Sequence, residues 1–343
     1  YLYGRVGEDH FVVIADEATF NEEYLYECRE TLQNVLSDSV YNVRVCFGIY
    51  RTDNMNESLS FMCDKASFAV ASIKDDTHSF IAYYDDTMLE AAIKYKTIVD
   101  EFDDAIKAGE FKMYLQPQIS AKTRRLTGVE ALVRRIKPDG TIISPIDFIP
   151  VYEKSGLISR LDRYIWEQAA AKLGEWKKAG INMSISVNIS PKDFYYIDIF
   201  NTFAGLIKKY DIEPSNLKIE ITETTIMSDV PNLMGELEEL RKAGFTLEMD
   251  DFGSGYSSLN TLKDINVDVL KVDMGFIKET KNVKKSRIIL ASVIKMAKEL
   301  NLLIITEGVE TEEQVDNLTK LGCDVFQGYY FSKAIDVNEF EKR

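Results

Sequence analysis

Polar side chains stand at or near the ends of seven short apolar runs in the second part of the chain. They are Glu130, Asn188, Glu220, the pair Asp250 and Asp251, Lys271, Glu307 and Gln327. Several carboxylates cannot converge in one pocket without compensation, because like charges raise each other's pKa sharply. Divalent cations resolve that conflict, and ligands that are all oxygen suit magnesium or manganese. The pattern therefore indicates a site for Mg²⁺ or Mn²⁺ built from strand ends.

A pair of such ions would make this a site for phosphoester hydrolysis. Two metal ions about 3.5 to 4 Å apart can bind a phosphate oxygen, generate hydroxide from water and stabilise in-line displacement. Lys271 is suited to assist that water or the charge that develops on the phosphoryl group. Arg134 carries a planar fork that fits a phosphate. Asp250 and Asp251 can face one site only if the strand ends there, and the glycine-rich residues 252–255 supply that break.

Each of these residues also has an ordinary structural explanation. A single acidic residue near a strand end is most often a helix cap or a surface charge. Asn188 precedes Ile-Ser-Pro and fits turn chemistry, and Lys271 fits a salt bridge at a barrel mouth. The metal site gains weight over these alternatives only from the whole set, because seven strand ends carry mutually compatible side chains.

The elements that position these side chains follow a repeated strand and helix pattern. Helix-length stretches such as residues 162–179 and 286–300 lie between most of eight apolar runs. The runs are residues 111–115, 128–133, 184–188, 217–221, 245–249, 269–272, 302–305 and 324–326. This alternation predicts a modified TIM-type (β/α)₈ barrel with its active site at the carboxyl ends of the strands. The first connection is too short for a crossover helix, so we expect one antiparallel strand.

The residues before this barrel have a different organisation. They alternate predicted strands at 11–15, 43–50 and 79–84 with predicted helices at 22–36 and 58–71. A long helix from about Met88 to Ala108, ended by Gly109, would join the two parts. We therefore expect a partial α/β domain at residues 1–86, a linker helix at 87–109 and the barrel domain at 110–343.

The composition excludes several classes of protein. A net charge of −15 argues against binding to duplex nucleic acid, and only two histidines leave no room for a histidine-based zinc or iron site. The four cysteines lack CxxC spacing, which predicts a reducing, cytoplasmic compartment for this segment. No apolar run is long enough to span a membrane. The chain opens inside a strand-like run, so we expect an upstream region able to carry a sensor domain or a membrane anchor.

An ordered series of motifs resembles the EAL family of cyclic di-GMP phosphodiesterases. The series starts with Gln116-Pro117 and with Glu-Ala-Leu-Val-Arg at residues 130–134. It continues with Val-Asn-Ile-Ser-Pro at 187–191, Glu-Ile-Thr-Glu at 220–223, Asp-Asp-Phe-Gly-Ser-Gly-Tyr-Ser-Ser-Leu at 250–259, Leu-Lys-Val-Asp at 270–273, Glu-Gly-Val-Glu-Thr at 307–311 and Gln-Gly-Tyr at 327–329. The resemblance covers roughly residues 100 to 343. It implies hydrolysis of cyclic di-GMP to linear pGpG in bacterial signalling, with two Mg²⁺ or Mn²⁺ ions, by a barrel that often forms homodimers.

The resemblance also divides the site residues by role. It implies metal ligands at Glu130, Asn188, Glu220, Asp250 and Asp251. It implies catalytic roles for Lys271 on the attacking water, for Glu307 and Gln327 in the shell of water and metal, and for Glu223 in holding the loop at 252–258. In the family that loop couples metal binding to dimer contacts. It implies substrate contacts from Gln116, Arg134 and Asp273.

The chain departs from the family pattern at positions that are not metal ligands. Arg135 and Lys137-Pro138 replace the usual tryptophan and His-Pro, Thr306 stands where alanine is common, and Ala334 replaces a frequent proline. These departures bear on affinity for substrate more than on chemistry.

The alternative to an active enzyme is a catalytically silent receptor for cyclic di-GMP. The Asp-Phe-Gly at 251–253 is also found in protein kinases, but the chain lacks their glycine-rich loop and His-Arg-Asp motif.

The N-terminal part resembles the second half of a degenerate GGDEF cyclase domain. The resemblance rests on Arg-Val-Gly-Glu-Asp-His-Phe at residues 5–11 and Val-Cys-Phe-Gly-Ile at 45–49. Glu8 replaces a glycine that lets the backbone approach a nucleotide closely, and His10 replaces an acid used for metal binding and catalysis. The resemblance implies a part without cyclase activity, either a structural or dimerising half-domain or, alternatively, a regulatory nucleotide-binding module.

Overall fold

The protein is described from a computed structural model. The structure describes residues 2–7, 9–36, 44–52, 54, 56–74, 76, 78–228, 230, 232–253, 262, 265–273 and 283–342. The chain divides into two units, residues 1–98 and residues 99–343. Across the described ranges, no helix combines the length and the apolar character that crossing a membrane requires.

The first unit is a small α/β arrangement, as the sequence predicts. Its elements are β1 (Leu2–Arg5), β2 (Phe11–Ile14), α1 (Glu23–Leu36), β3 (Phe47–Ile49), α2 (Leu59–Ser72), β4 (Ile81–Tyr83) and α3 (Asp86–Asp100). Strands β1 and β2 pair antiparallel, and β3 and β4 pair parallel. The backbone N–H of Phe61 donates to the hydroxyl of Ser58 and caps the start of α2. Residue Glu8 of the degenerate signature lies outside the described residues.

The prediction of a single helix from about Met88 to Ala108 is wrong at one residue, Glu101. The structure has α3 ending at Asp100 and a separate helix α4 (Phe102–Ala108), which ends at Gly109 with φ 66° as predicted. Glu101 lies between the two helices, and its carboxylate is 2.7 Å from the guanidinium of Arg135. Glu101 itself keeps a right-handed helical backbone, with φ −74° and ψ −14°, so the interruption is confined to one residue.

The second unit is a barrel surrounded by helices, and it confirms the predicted fold class. After α4 come β5 (Phe111–Ser120), β6 (Leu126–Ile136), β7 (Ile142–Ile143), α5 (Pro145–Ser155), α6 (Ile158–Lys178), β8 (Ile185–Ile189), α7 (Asp193–Tyr196), α8 (Ile199–Tyr210), β9 (Leu217–Thr222), α9 (Glu223–Met227), α10 (Leu233–Lys242), β10 (Leu247–Asp250), β11 (Val269–Asp273), α11 (Val283–Glu299), β12 (Leu303–Glu307), α12 (Glu312–Leu321), β13 (Val325–Phe326), β14 (Ile335–Asp336) and α13 (Val337–Phe340).

Strand order closes the barrel around the described strands β5, β6 and β8 to β13. The order is β5-β6-β8-β9-β10-β11-β12-β13, and β13 pairs back onto β5. Strand β5 is antiparallel to β6 and to β13, and the other neighbours are parallel. The expected antiparallel strand is thus confirmed. Because the parallel strands end on one rim, their carboxyl ends gather the polar residues that follow the apolar runs.

Aromatic side chains fix α4 and α5 against the start of β5. Phe102, Phe111, Phe148 and Tyr152 are buried, with ring centroids 4.9 to 6.0 Å apart. Arg135 is buried beside them and pairs with Glu110 at 2.9 Å as well as with Glu101. An arginine at the position of the family's tryptophan is therefore accommodated by two carboxylates.

A carboxyl pair, the partly buried Asp162 on α6 and the buried Asp193 on α7, makes stability depend on pH. Asp193 is fully buried and accepts a 2.8 Å hydrogen bond from the amide of Ser190. Burial, with the nearby charge of Glu153, raises the pKa of Asp193 to about 6. Burial and the charge of Asp193 also raise the pKa of Asp162 well above its usual value. The folded chain therefore holds protons that the unfolded chain releases between about pH 4 and pH 6.

We expect Asp193→Asn to raise the thermal midpoint at pH 8. A raised carboxyl pKa contributes stability at low pH, and that stability is lost as the pH rises through the folded pKa of about 6. Asparagine keeps the acceptor for Ser190 and carries no charge. Calorimetry at pH 5 and pH 8 should show the gain over wild type shrinking at the lower pH. The exposed Asp316→Asn serves as a control, and a gain for Asp193→Asn that is equal at both pH values would contradict the prediction.

Candidate active site

The barrel brings the predicted ligands to one rim. Asn188 on β8 lies opposite Glu220 on β9, and Glu220 lies opposite Glu248 on β10, two residues before Asp250. Strand β10 ends at Asp250, and Asp251 has a left-handed backbone with φ 55°. The strand therefore ends where the sequence requires it to end. The amide of Asp251 donates to Oδ1 of Asp250 at 2.9 Å.

Lys271 is the centre of the site in this structure. Its ammonium is fully buried and lies 2.8 Å from Glu307, 3.0 Å from Glu220, and 3.4 Å from both Glu130 and Asp250. These four carboxylates come from β12, β9, β6 and β10. A buried cluster with this much negative charge is tolerated only when a cation lies among the carboxylates. The contacts of Lys271 also agree with its ordinary explanation as a salt bridge.

The pKa values of this cluster are strongly shifted. Burial, followed by the charge of Glu130, raises the pKa of Glu220 well above its usual value, and Lys271 only partly opposes this. Burial also raises the pKa of Glu307 to about 8. For Lys271, burial lowers the pKa, but the four surrounding carboxylates outweigh burial and raise it well above the usual lysine value. The cluster therefore has a high affinity for positive charge.

A chain of amide side chains forms the other wall of the site. Gln327 donates through Nε2 to Glu130, and to Gln116 at 3.4 Å. Gln118 donates to Oε1 of Gln327 at 3.2 Å, and Asn188 donates to Oε1 of Glu130 at 3.3 Å. Glu130 is thus held from two sides by Asn188 and Gln327, and Gln116 is linked to it through Gln327.

The loops after β12 and β13 are locked together by a glycine. A Cβ atom on Gly328, whose φ is 158°, would lie 2.2 Å from the carbonyl oxygen of Val309. The amide of Val309 donates to Gln327 at 3.1 Å, and the amide of Tyr330 donates back to Val309 at 3.0 Å. Only a glycine permits this approach, and it fixes the positions of Glu307 and Gln327 at the rim.

The remaining predicted residues lie at the edges of the cluster. Glu223, buried at the start of α9, accepts a 3.3 Å hydrogen bond from the amide of Gly253, and residues 254–258 of that loop lie outside the described residues. The guanidinium of Arg134 lies 5.9 Å from the ring centroid of Tyr114 and donates to the carbonyl of Val133 at 2.7 Å. Asp273 is exposed at the end of β11, opposite Glu307.

The donor chemistry of the site fits divalent cations. Both carboxylate oxygens of Glu220 are buried, and within the described residues neither accepts a hydrogen bond of normal geometry, although the ammonium of Lys271 forms an ion pair with Oε1 at 3.0 Å. The candidate ligands offer oxygen atoms alone, as magnesium and manganese prefer. Across the described part of the chain, no three histidine, cysteine, aspartate or glutamate side chains form a group arranged to hold a metal ion. The carboxylates here surround the ammonium of Lys271.

Sequence reasoning missed several polar residues inside the barrel. Gln118 is buried and bonded to Gln327, and Trp166 donates from its indole to the carbonyl of Asn188 at 2.9 Å. Ser186 and Glu248 are also fully buried. The available signal was the period of two along each strand, which places Gln118 on the same face as Gln116.

Curated relatives cover the whole chain at moderate identity. The signaling protein YkoW of Bacillus subtilis is 31% identical over 98% of this chain and 43% of its own length. The bifunctional diguanylate cyclase/cyclic di-GMP phosphodiesterase MucR of Pseudomonas aeruginosa is 29% identical over 98% of this chain and 50% of its length. The probable cyclic di-GMP phosphodiesterase PdeG of Escherichia coli is 32% identical over 96% of this chain and 63% of its own length. The chain thus spans about half the length of these relatives.

Solved structures share the barrel. The PaMucR phosphodiesterase in its c-di-GMP complex is 32% identical, with a TM-score of 0.67 over 71% of this chain and 99% of that one. The EAL enzyme Bd1971, in its cAMP- and cyclic-di-GMP-bound form, is 30% identical, with a TM-score of 0.69 over 74% of this chain and 69% of that one. The sequence profile of the EAL domain matches residues 99–334. With a matching profile over more than half of its length and the same barrel, the chain belongs to the EAL domain family.

Proposed function

We propose that the chain hydrolyses cyclic di-GMP to linear pGpG with two divalent cations, Mg²⁺ or Mn²⁺. The proposal is carried by the convergence of four carboxylates from four strands at one rim of an EAL-family barrel. Relatives named as cyclic di-GMP phosphodiesterases support the substrate. The ligands we propose are Glu130, Asn188, Glu220, Asp250 and Asp251.

The chain's own residues would orient the reaction. Bound cations would supply a polarised phosphate oxygen and a nucleophilic hydroxide near neutral pH. Lys271 would donate a hydrogen bond to the attacking water or to the developing charge, and Glu307, 2.8 Å away, would hold Lys271 in place. Gln327 would hold Glu130 in its orientation.

Substrate contacts would come from the edge residues. The guanidinium of Arg134, supported by the ring of Tyr114, offers a fork for one phosphate. Gln116 and Asp273 lie on β5 and β11 near the same rim and offer hydrogen-bonding groups. We propose that Glu223, through its bond to Gly253, holds the start of the loop at 252–258.

The N-terminal unit and the quaternary structure are also matters of proposal. We propose that residues 1–86 are a degenerate GGDEF half-domain without cyclase activity, joined at 87–109 to the catalytic domain at 110–343. His10, at the position where the family uses an acidic residue, supports the loss of cyclase chemistry. We further propose a homodimer through the EAL domain, and a monomeric mass in light scattering would argue against it.

The direct test is nucleotide turnover under controlled metal conditions. The purified chain is expected to convert cyclic di-GMP to pGpG with Mg²⁺ or Mn²⁺ and to lose that activity when a chelator removes the metal. Chromatography of the nucleotides measures the product. Tight binding without turnover would favour the receptor alternative, and neither binding nor turnover would reject the proposal.

A further inference from the structure

A second polar cluster lies inside the barrel, on three strands that carry candidate ligands and closer to the amino end of each strand than its ligand. Ser186, Lys218 and Glu248 each stand two residues before a ligand, on β8, β9 and β10 respectively. Side chains along a strand alternate with period two, so each of the three shares the face of the ligand above it. The three strands are consecutive neighbours in the barrel. We refer to Ser186, Lys218 and Glu248 as the lower polar cluster.

Glu248 is the hub of the lower polar cluster. It is fully buried, and the ammonium of Lys218 lies 2.9 Å from its Oε1. The hydroxyl of Ser186, also fully buried, donates to its Oε2 at 2.9 Å. Both carboxylate oxygens are therefore satisfied. The bond from Ser186 spans from β8 to β10 past the intervening β9, and Lys218 ties β9 to the same carboxylate.

The opposite side of the barrel is apolar at the same level. Val269, Ile305 and Val325 form a buried apolar cluster, and they stand two residues before Lys271, Glu307 and Gln327. Packing alone can therefore fill this layer with apolar side chains. A charged pair is costly to bury and can often be replaced by apolar residues without loss of stability. Its position beneath three proposed ligands points to a role at the ligand layer.

We propose that the lower polar cluster positions Asn188, Glu220 and Asp250 for divalent cation binding. The inference rests on the proposed function, because it concerns the same ligands. A carboxylate fixed at both oxygens restricts the relative displacement of the three strands, and thus of the side chains two residues further along. Residues that orient metal ligands without touching the metal commonly affect metal affinity in this way. Ser186, Lys218 and Glu248 are positioning residues and do not touch the substrate.

Ser186→Ala is the sharpest test, because it removes the bond between β8 and β10 and keeps the Lys218–Glu248 pair. We expect the dissociation constant for Mn²⁺ to rise about tenfold or more. Isothermal titration calorimetry and electron paramagnetic resonance of bound Mn²⁺, on the full chain without substrate, measure this. In turnover assays, the Mn²⁺ concentration for half-maximal rate should rise while the KM for cyclic di-GMP at saturating Mn²⁺ stays near that of wild type.

Ile305→Val is the matched control, because it alters the apolar half of the same layer. It should lower the thermal midpoint modestly and leave Mn²⁺ affinity unchanged. Equal affinities for wild type and Ser186→Ala, or an equal loss in Ile305→Val, would overturn the inference and leave the proposed function standing. A wild-type chain that binds no Mn²⁺ would reject the proposed function itself, and the inference with it.

Discussion

Replacing Asp250 by asparagine is expected to lower kcat by more than about 100-fold. Loss of a residue that supports a metal ligand costs up to about 100-fold in metal affinity or activity, and Asp250 is itself proposed as a ligand. Asparagine keeps an oxygen that can accept the 2.9 Å bond from the amide of Asp251, so the local fold should persist. Steady-state turnover and Mn²⁺ titration measure the two effects.

The thermal stability of Asp250→Asn without metal should not fall together with kcat. The substitution removes one of the four carboxyl groups around Lys271, so the thermal midpoint without metal should stay level or rise. The increase in that midpoint on adding Mn²⁺ should shrink, because a ligand stabilises the native state only as far as it binds. Asp268→Asn is the matched control. Asp268 accepts from the amide of Leu247 at the opposite end of β10, and its substitution should leave kcat close to wild type. Wild-type turnover in Asp250→Asn would remove Asp250 from the ligand set.

Lys271→Met is expected to cause the largest loss of stability in the barrel. It removes a fully buried cation from among four carboxylates that lie 2.8 to 3.4 Å away. Breaking a buried ion pair by deleting one partner costs about 3 to 5 kcal/mol. At about 2 to 4 °C per kcal/mol for a domain of this size, the metal-free midpoint should fall by roughly 10 °C. Differential scanning calorimetry measures the shift.

Two further variants separate the charge effect from a packing effect. Lys271→Met combined with Glu307→Gln removes one of the four carboxyl groups together with the ammonium, so it should recover part of the lost stability. Lys295→Met removes an exposed lysine, 3.9 Å from Glu299 on the same helix, and should change the midpoint little. In turnover, Lys271→Met should lower kcat more than it raises KM, because Lys271 is proposed to act mainly in the transition state. A midpoint equal to wild type would show that the carboxylates do not need Lys271.

The local pattern of apolar residues in the sequence was sufficient to predict most strands of the barrel. The eight apolar runs correspond to eight strands, because each run fills both faces of a strand that is buried in the barrel. The short connection between β5 and β6 correctly predicted their antiparallel pairing, since a crossover helix needs more residues. The end of strand β10 after Asp250 was predictable too, because the glycine-rich residues that follow favour a turn. The structure agrees, since Asp251 adopts a left-handed backbone with φ 55°.

Local pattern failed where a distant residue changes the local preference. Strands β5 and β6 extend to Ser120 and Ile136, well beyond the predicted apolar runs. Polar members such as Gln118 are buried and form a hydrogen bond to Gln327, which follows the neighbouring strand β13, so hydropathy underestimates the length of the strand. The helix predicted through Glu101 is interrupted at that residue, whose carboxylate forms an ion pair with Arg135, 34 positions along the chain.

By itself, the sequence determined the kind of chemistry, since residue types and their order at strand ends specify an all-oxygen set with one lysine. The tertiary structure decided which groups meet. Closure of β13 onto β5 brings Gln327 to Glu130, although 197 positions separate them, and the common end of the parallel strands places four carboxylates around Lys271. The stacking of Ser186, Lys218 and Glu248 beneath the ligands likewise depends on strand register. Such contacts arise from long-range pairing, which no local window of sequence contains.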